Sequence, residues 1–156
     1  MNRSFVVRAG VVVLAVAVAA GCASMRRMKP EEAIAERQQL MKDQGALMRS
    51  IGDKVKAGQI QAIAPDAEKL EASSKKITRL FPENSVNPNT SRAKPEIWQK
   101  WPEFQGLAKS LGTKSEALEQ TAKTGDAQKT QVAVAELGKT TCGACHTQFR
   151  GPEIKK

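Results

Sequence analysis

Two cysteines and a histidine close to the C-terminus form the most chemically informative pattern of this 156-residue sequence. Cys142-Gly143-Ala144-Cys145-His146 has the spacing C-x-x-C-H, the attachment pattern of a c-type haem. Cysteines three residues apart share one face of a helix, so both thiols can form thioethers with the two haem vinyl groups. His146 follows directly and can reach the iron from that side. The pattern therefore predicts one covalently bound haem c, with His146 as an axial iron ligand.

Three other uses of a C-x-x-C pair compete with haem attachment. A redox dithiol of the thioredoxin type lies at a strand-to-helix turn, and no strand is predicted before Cys142. A zinc site needs a second pair of ligands, and His146 is the only histidine of the sequence. A plain disulfide remains open in an exported protein. The histidine next to the second cysteine, together with an export signal, favours haem.

The N-terminus has the layout of a bacterial secretory signal. A short basic start is followed by an apolar run over residues 9–20, which ends in small residues. This run is shorter than the roughly 20 apolar residues that cross a bilayer, which makes an uncleaved anchor the weaker alternative. We assign residues 1–21 to a signal peptide, 22–29 to an N-terminal tether and 30–156 to the folded domain. The mature protein is therefore expected in the periplasm.

The junction Ala-Gly-Cys22-Ala is similar to the lipobox of bacterial lipoproteins, although Ala19 stands where that family usually has Leu. Lipidation of Cys22 would tether the protein to a membrane. The alternative is cleavage nearby, which leaves this cysteine either removed or free. We favour lipidation, because a lone exposed thiol is reactive.

The formal net charge of +9 does not indicate nucleic-acid binding. Lys and Arg are dispersed among Glu and Asp, and no basic run is interleaved with aromatic residues. The charge fits either an ordinary solvated helical surface or electrostatic steering toward an acidic redox partner protein. The sequence leaves that partner unknown.

The punctuation of the chain predicts four helical segments. No alternation of β-branched residues is sustained, so helices are the default. Pro30, Pro65 and Pro95 each precede an acidic residue and a helical pattern, as proline does in a first turn. Gly58 and Gly125 fit helix ends.

Apolar residues recur at seven-residue spacing in each segment, which predicts an all-α, antiparallel four-helix bundle. Pro102 should start the third helix late or kink it, and residues 82–94 should form a long loop. The row of the first segment is Ile34, Met41, Met48 and Val55; that of the last is Ala135, Cys142 and Phe149, with Val132, Val134 and Leu137 beside it.

A methionine thioether is the natural sixth iron ligand in a chain without a second histidine. Met25 and Met28 precede the first helix, whereas Met41 and Met48 lie on its apolar row. Each buried methionine, taken alone, is more often a core residue than a ligand.

Two arginines have the spacing to meet the haem. Arg37 lies four residues before Met41, and Arg150 lies four residues after His146. Each either pairs with a haem propionate or is an ordinary solvated charge, and the residues alone do not separate these two roles.

The sequence resembles class II cytochromes c, the family that includes cytochrome c prime. The attachment motif is followed by Thr147-Gln148-Phe149-Arg150, similar to the family's aromatic-Arg ending. Lys29-Pro30-Glu31-Glu32-Ala33-Ile34 and the pair Arg37-Gln38 are similar to its first helix, and Ala93-Lys94-Pro95-Glu96-Ile97-Trp98 to the start of its third. The resemblance implies a four-helix bundle that carries its haem on the C-terminal helix.

The resemblance also implies roles for single residues. Arg37 and Gln38 would contact the haem, and Met41 would occupy the distal position. Methionine there is typical of the low-spin branch, which implies a one-electron carrier with His146 and Met41 as axial ligands. The alternative is a five-coordinate cytochrome c prime that binds nitric oxide or carbon monoxide. The segment 87–89 departs from the family's haem-contacting pattern.

The resemblance also suggests a homodimer. No array of catalytic acid, base or nucleophile is visible, so an enzyme is not predicted.

Overall fold

The computed structural model describes residues 28–154. Its α-helices are α1 (Pro30–Lys56), α2 (Ala64–Ser74), α3 (Glu96–Gln99), α4 (Trp101–Lys123), α5 (Ala127–Leu137) and α6 (Ala144–Phe149). Short 3₁₀ helices, Gln61–Ile63 and Thr78–Leu80, flank α2, and a π-helix, Gly138–Gly143, joins α5 to α6. Four long helical stretches therefore form the predicted all-α bundle, and the fold prediction is confirmed.

Pairing between extended segments is minimal in the part of the chain that the structure describes. It consists of one isolated antiparallel bridge between Ala93 and Arg150. None of the helices in that part has the length and apolar character needed to span a membrane.

Proline and glycine mark the helix boundaries as predicted. Pro30 lies in the first turn of α1, and Pro102 lies in the first turn of α4, after a break in the helix at Lys100. Pro102 therefore starts the long third helix late. Gly58 and Gly125 follow α1 and α4 with φ of +70° and +77°, backbone conformations that glycine adopts without the steric penalty of a Cβ atom.

The core is densest where α2 packs against α4. Ile63, Leu70 and Leu118 are fully buried there, and the two helices approach each other closely at Gly112. A Cβ atom at Gly112 would lie 2.7 Å from the Ser74 hydroxyl oxygen. This half of the bundle supports the other pair of helices, α1 and the last helix, between which the cavity described below opens.

The last helix differs from the heptad row predicted for it. Val132 is 62% exposed and Ala135 is also exposed, whereas Thr130, Leu137 and Phe149 are buried. The π-helix is the physical reason, because its i→i+5 hydrogen bonds widen one turn between α5 and α6, so a seven-residue row does not keep to one face across it. A single seven-residue row from Ala135 to Phe149 is therefore wrong.

The folded domain reaches slightly beyond its predicted start. Met28, which the sequence assigned to the tether, packs against the core. Cys22 and the predicted signal peptide, 1–21, lie outside the described residues, so the predictions on them stay predictions.

Candidate haem site

A cavity of about 560 Å³ opens between α1 and the last helix. This volume lies in the roughly 300–1,000 Å³ range of sites that bind organic ligands and cofactors. Cys142, Cys145 and His146 line one wall, and Met41 and Met48 of α1 line another. The remaining lining is mostly apolar and comes from α2, the segment after it, and α3, α4 and α6: Leu70, Ile77, Phe81, Ile97, Phe104, Leu107, Ala108, Leu111 and Phe149.

The π-helix positions the attachment wall. Cys142 is its penultimate residue, and Cys145 and His146 follow in α6. A Cβ atom at Gly143 would lie 3.3 Å from the carbonyl oxygen of Gly138, so a side chain there would crowd the widened turn. The small residue in the motif therefore accommodates the backbone as well as an approaching ring.

The two thiols are free and half-buried. Burial, together with the neighbouring Cys142, raises the pKa of Cys145 to about 11. Within residues 28–154 no three His, Cys, Asp or Glu side chains are grouped as a metal site would require. The thiols and the apolar cavity beside them fit a covalently attached haem.

His146 is half-buried at the same wall. Burial, and then the positive charges of Arg150 and Arg92, lower the pKa of its imidazole. The neutral imidazole, which is the form that binds metals, is therefore favoured at neutral pH. His146 is the residue that would ligate the haem iron.

Met41 and Met48 both reach the cavity from α1, and both are half-buried. Their seven-residue separation corresponds to about 10 Å along the helix axis. Met48 extends toward the last helix, since its terminal methyl lies 4.0 Å from the position of a Cβ atom at Gly138. The assignment of Met41 as second axial ligand stays a prediction.

Arg37 is buried, with 3% of its surface exposed, and the segment before α3 takes up its donors. Its Nη1 donates to the Leu80 carbonyl at 3.4 Å and to the Ser85 hydroxyl at 2.9 Å. Its Nη2 donates to the Ser85 carbonyl at 2.7 Å and to the Ser91 hydroxyl at 2.6 Å. The guanidinium carbon also lies 4.7 Å from the centroid of the Phe81 ring. Burial lowers the pKa of Arg37 to about 10, so it remains charged.

Gln38 acts on the same segment, because its Nε2 donates to the Thr90 carbonyl at 2.5 Å. Arg37 and Gln38 both line the cavity, and their hydrogen bonds hold the segment 80–91 against α1; the haem contacts that the resemblance implied for them stay a prediction. Sequence reasoning missed Ser85 and Ser91 as partners. The serines of this segment could be recognised from the sequence as hydrogen-bond acceptors. No local sequence pattern, however, links them to Arg37.

The charged side chains that line the cavity are cationic. Arg37, Lys42, Arg92 and Arg150 contribute to its lining, and no Asp or Glu does so among the described residues. Arg150 follows α6, is exposed and lines the cavity; its pairing with a haem propionate stays a prediction. Lys42 and Arg92 are the cations that the sequence analysis missed.

Arg92 is fastened to the C-terminal segment. Its Nε donates to the Gly151 carbonyl at 2.9 Å, and its own carbonyl accepts from the Gly151 amide at 2.7 Å. One residue pair further along, the Lys94 amide donates to the Phe149 carbonyl at 3.0 Å. This short pairing joins the segment before α3 to the end of the last helix, beside His146.

The fold and the site together define a class of protein, the helical-bundle haem c proteins that carry their attachment motif on the last helix. The family model described as Cytochrome C' matches residues 32–150, and the chain belongs to that family. Proteins of the family bind one covalent haem c, so the cofactor prediction is confirmed.

Individual relatives agree with this assignment. Cytochrome c' of Rhodopseudomonas palustris is 29% identical over 122 residues, which cover 76% of this chain and 82% of the relative. Cytochrome c' of Thermochromatium tepidum is 30% identical, with a TM-score of 0.69 over 81% of this chain and 99% of that one. The nitric oxide complex of a single-residue variant of cytochrome c prime from Alcaligenes xylosoxidans is 26% identical, with a TM-score of 0.70 over 80% and 98% of the two chains.

Proposed function

We propose that this protein is a cytochrome c' that binds a small diatomic gas, nitric oxide or carbon monoxide, at its haem iron on the side that faces α1. The similar protein of Alcaligenes xylosoxidans has variants whose structures contain nitric oxide or carbon monoxide. This similarity supports gas binding over the electron carrier that the methionine first suggested.

The observation that carries the proposal is the wall opposite His146. The soft ligands that α1 contributes to the cavity are the thioethers of Met41 and Met48. A thioether is a neutral, weak ligand, so a strongly binding gas can compete with it for a metal. The apolar lining around it excludes water and admits a small uncharged molecule.

When bound, the haem supplies an iron whose ligand binding and reduction potential depend on its axial ligands and its pocket. The chain supplies the rest. Cys142 and Cys145 fix the ring covalently, and His146 would ligate one face as a neutral imidazole. The apolar side chains of α4, with Phe104 and Leu107 among them, exclude solvent.

A one-electron carrier is the second candidate function, and one observation favours it. Met41 lines the cavity at the position that the family resemblance gives to the distal residue. If its thioether held the iron in both oxidation states, the ligand set would not change during electron transfer. That protein would belong to the low-spin branch.

Absorption spectra of the natively matured protein test the proposal. We expect the reduced form to bind carbon monoxide and nitric oxide, with a large change of its haem bands at micromolar gas. A reduced form with a sharp, split pair of low-spin bands that carbon monoxide does not alter would overturn gas binding and leave the electron carrier.

Export belongs to the same proposal. The signal-like residues 1–21 support a periplasmic location, and the lipobox-like junction supports a lipid on Cys22. The basic charge of +9 fits an acidic redox partner that reduces the iron, and family analogy supports a homodimer. Cells fed a labelled fatty acid should label the wild type and not Cys22→Ser; unlabelled wild-type protein would remove the lipid anchor alone.

A further inference from the structure

Arg92 lines the cavity, but it has no part in haem attachment or iron ligation. It lies in the extended segment before α3 and lines the cavity together with Lys42 and Arg150. A haem carries two propionate carboxylates, and a cavity with several cations and no Asp or Glu among its described lining residues is suited to such a dianion. A side chain that pairs with a propionate must have N–H donors that are not already used by protein acceptors.

Arg37 has few donors left for a carboxylate. A guanidinium has five N–H groups, and the four on Nη1 and Nη2 match the four hydrogen bonds to Leu80, Ser85 and Ser91. Only the Nε–H is not used in those bonds. The two Nη groups, which would pair with a carboxylate through two parallel hydrogen bonds, therefore already donate to protein acceptors.

Arg92 is held differently. Its Nε donates to the Gly151 carbonyl at 2.9 Å, which fixes the side chain but leaves the Nη groups outside that bond. Nη1 lies 3.8 Å from a carboxylate oxygen of Glu153, beyond hydrogen-bond length, and the Glu153 side chain is 91% exposed. An exposed pair at that distance contributes little, so a haem carboxylate can replace it.

Arg37 and Arg92 are linked through one residue. Arg37 binds the Ser91 hydroxyl, and the same oxygen accepts from the Ala93 amide at 3.2 Å. The backbone on both sides of Arg92 is therefore fixed from α1, while its far side is fixed by Gly151. Arg37 acts as a positioning residue for the segment that carries Arg92.

We propose that Arg92 is the cation that pairs with a propionate of the bound haem, and that Arg37 supports it by holding Ser91. The proposal rests on the haem itself and not on whether the protein binds gas or carries electrons. Its failure would leave both candidate functions open to their own test.

The test uses the matured holoprotein and three variants. Arg92→Gln keeps the backbone hydrogen bond that the Gly151 amide donates to the carbonyl of residue 92, but removes the charge and the Nε–H donor. We expect its reduction potential to fall, because a cation near the haem favours the reduced form, and we expect the propionate bending bands in its resonance Raman spectrum to shift. Arg92→Lys should restore most of the potential. Arg49→Gln is the matched control, since it removes the same charge from an exposed position of α1.

Two outcomes would overturn the proposal. In the first, Arg92→Gln gives the same potential and the same propionate bands as Arg49→Gln. In the second, the potential falls but the propionate bands stay in place, which would mean that Arg92 acts on His146 through its charge and not on a carboxylate.

Discussion

The last helix and α1 face each other across one cavity, but their functional side chains are positioned in different ways. On the last helix the backbone conformation determines these positions. A π-helix and its two glycines set where Cys142, Cys145 and His146 lie. On α1 the helix is regular, and the functional side chains are long and jointed, as in Met41 and Met48. Such side chains adapt to what is bound. The comparison teaches that attachment is specified by backbone geometry and ligand choice by side chains.

The largest expected effect concerns the last helix. Cys142→Ser combined with Cys145→Ser should abolish covalent haem, since no thiol remains in the motif to form a thioether. Each single variant should retain at most one thioether. Haem staining of a denaturing gel measures this, with Met41→Leu as a control that keeps its stain. A stained double variant would mean that the attachment site is misassigned.

The next effect concerns α1 and separates its two methionines. Met41→Leu should tighten carbon monoxide binding about tenfold, equivalent to about 1.4 kcal/mol, because a competing thioether is lost. Met48→Leu should leave the spectrum unchanged and cost less than about 1.5 kcal/mol of stability, as a near volume-conserving core substitution. Gas titrations of the reduced variants measure both. The reverse order would assign the distal role to Met48.

The neighbouring residues Arg37 and Gln38 of α1 should contribute unequally to the free energy of unfolding. Arg37→Gln should cost about 3 kcal/mol, since it removes buried hydrogen bonds from a charged group and leaves acceptors such as Ser85 unsatisfied. Gln38→Ala, at an exposed position, should cost about 1 kcal/mol or less. Denaturant unfolding of the holoproteins measures the difference. Equal losses would show that the segment 80–91 does not depend on the buried guanidinium.

The smallest effect concerns Asp66, which pairs with the C-terminal end of α1 away from the cavity. It gives a reference value for the stability effect of a charge outside the site. Burial alone would raise the pKa of Asp66, but hydrogen bonds from Lys54 and Ser50, both at 2.6 Å, lower it below its usual value of 3.8. A carboxyl whose pKa is lower in the folded than in the unfolded state stabilises the fold above the unfolded pKa, and this contribution disappears as the pH falls through the folded value.

Asp66→Asn should therefore cost about 1 kcal/mol at pH 7, and its difference from the wild type should vanish as the pH falls below about 4. Unfolding curves between pH 7 and pH 3 measure this. Asp53→Asn is the control, because Asp53 and Lys56 form an exposed pair at 3.5 Å. A pH-independent cost for Asp66→Asn would show that shape, and not charge, matters there.

Local signals were sufficient for the helices and for the attachment motif. Prolines and glycines act on their own turn of the backbone, so Pro30, Pro102, Gly58 and Gly125 could be placed correctly without tertiary information. The spacing of Cys142, Cys145 and His146 is likewise local chemistry. The free thiols beside an apolar cavity agree with it.

Features that depend on tertiary structure could not be predicted in the same way. A π-helix has no sequence pattern of its own, so a seven-residue row drawn through it placed the exposed Ala135 on the same face as Cys142 and Phe149. The partners of Arg37 lie 48 and 54 residues away, and no periodicity connects such positions. Arg92 was missed for the same reason, since its importance depends on Gly151 at the other end of the domain.

The long sequence separation between Arg37 and its hydrogen-bond partners also affects the kinetics of folding and of local opening. A helix such as α1 forms within about a microsecond, whereas Ser85 and Ser91 must be brought back across 48 and 54 residues of chain. Contacts of long sequence separation form late and lower the folding rate. The amides of this segment should therefore be among the first to exchange with deuterium when the native protein opens locally, well before those of the α2–α4 core.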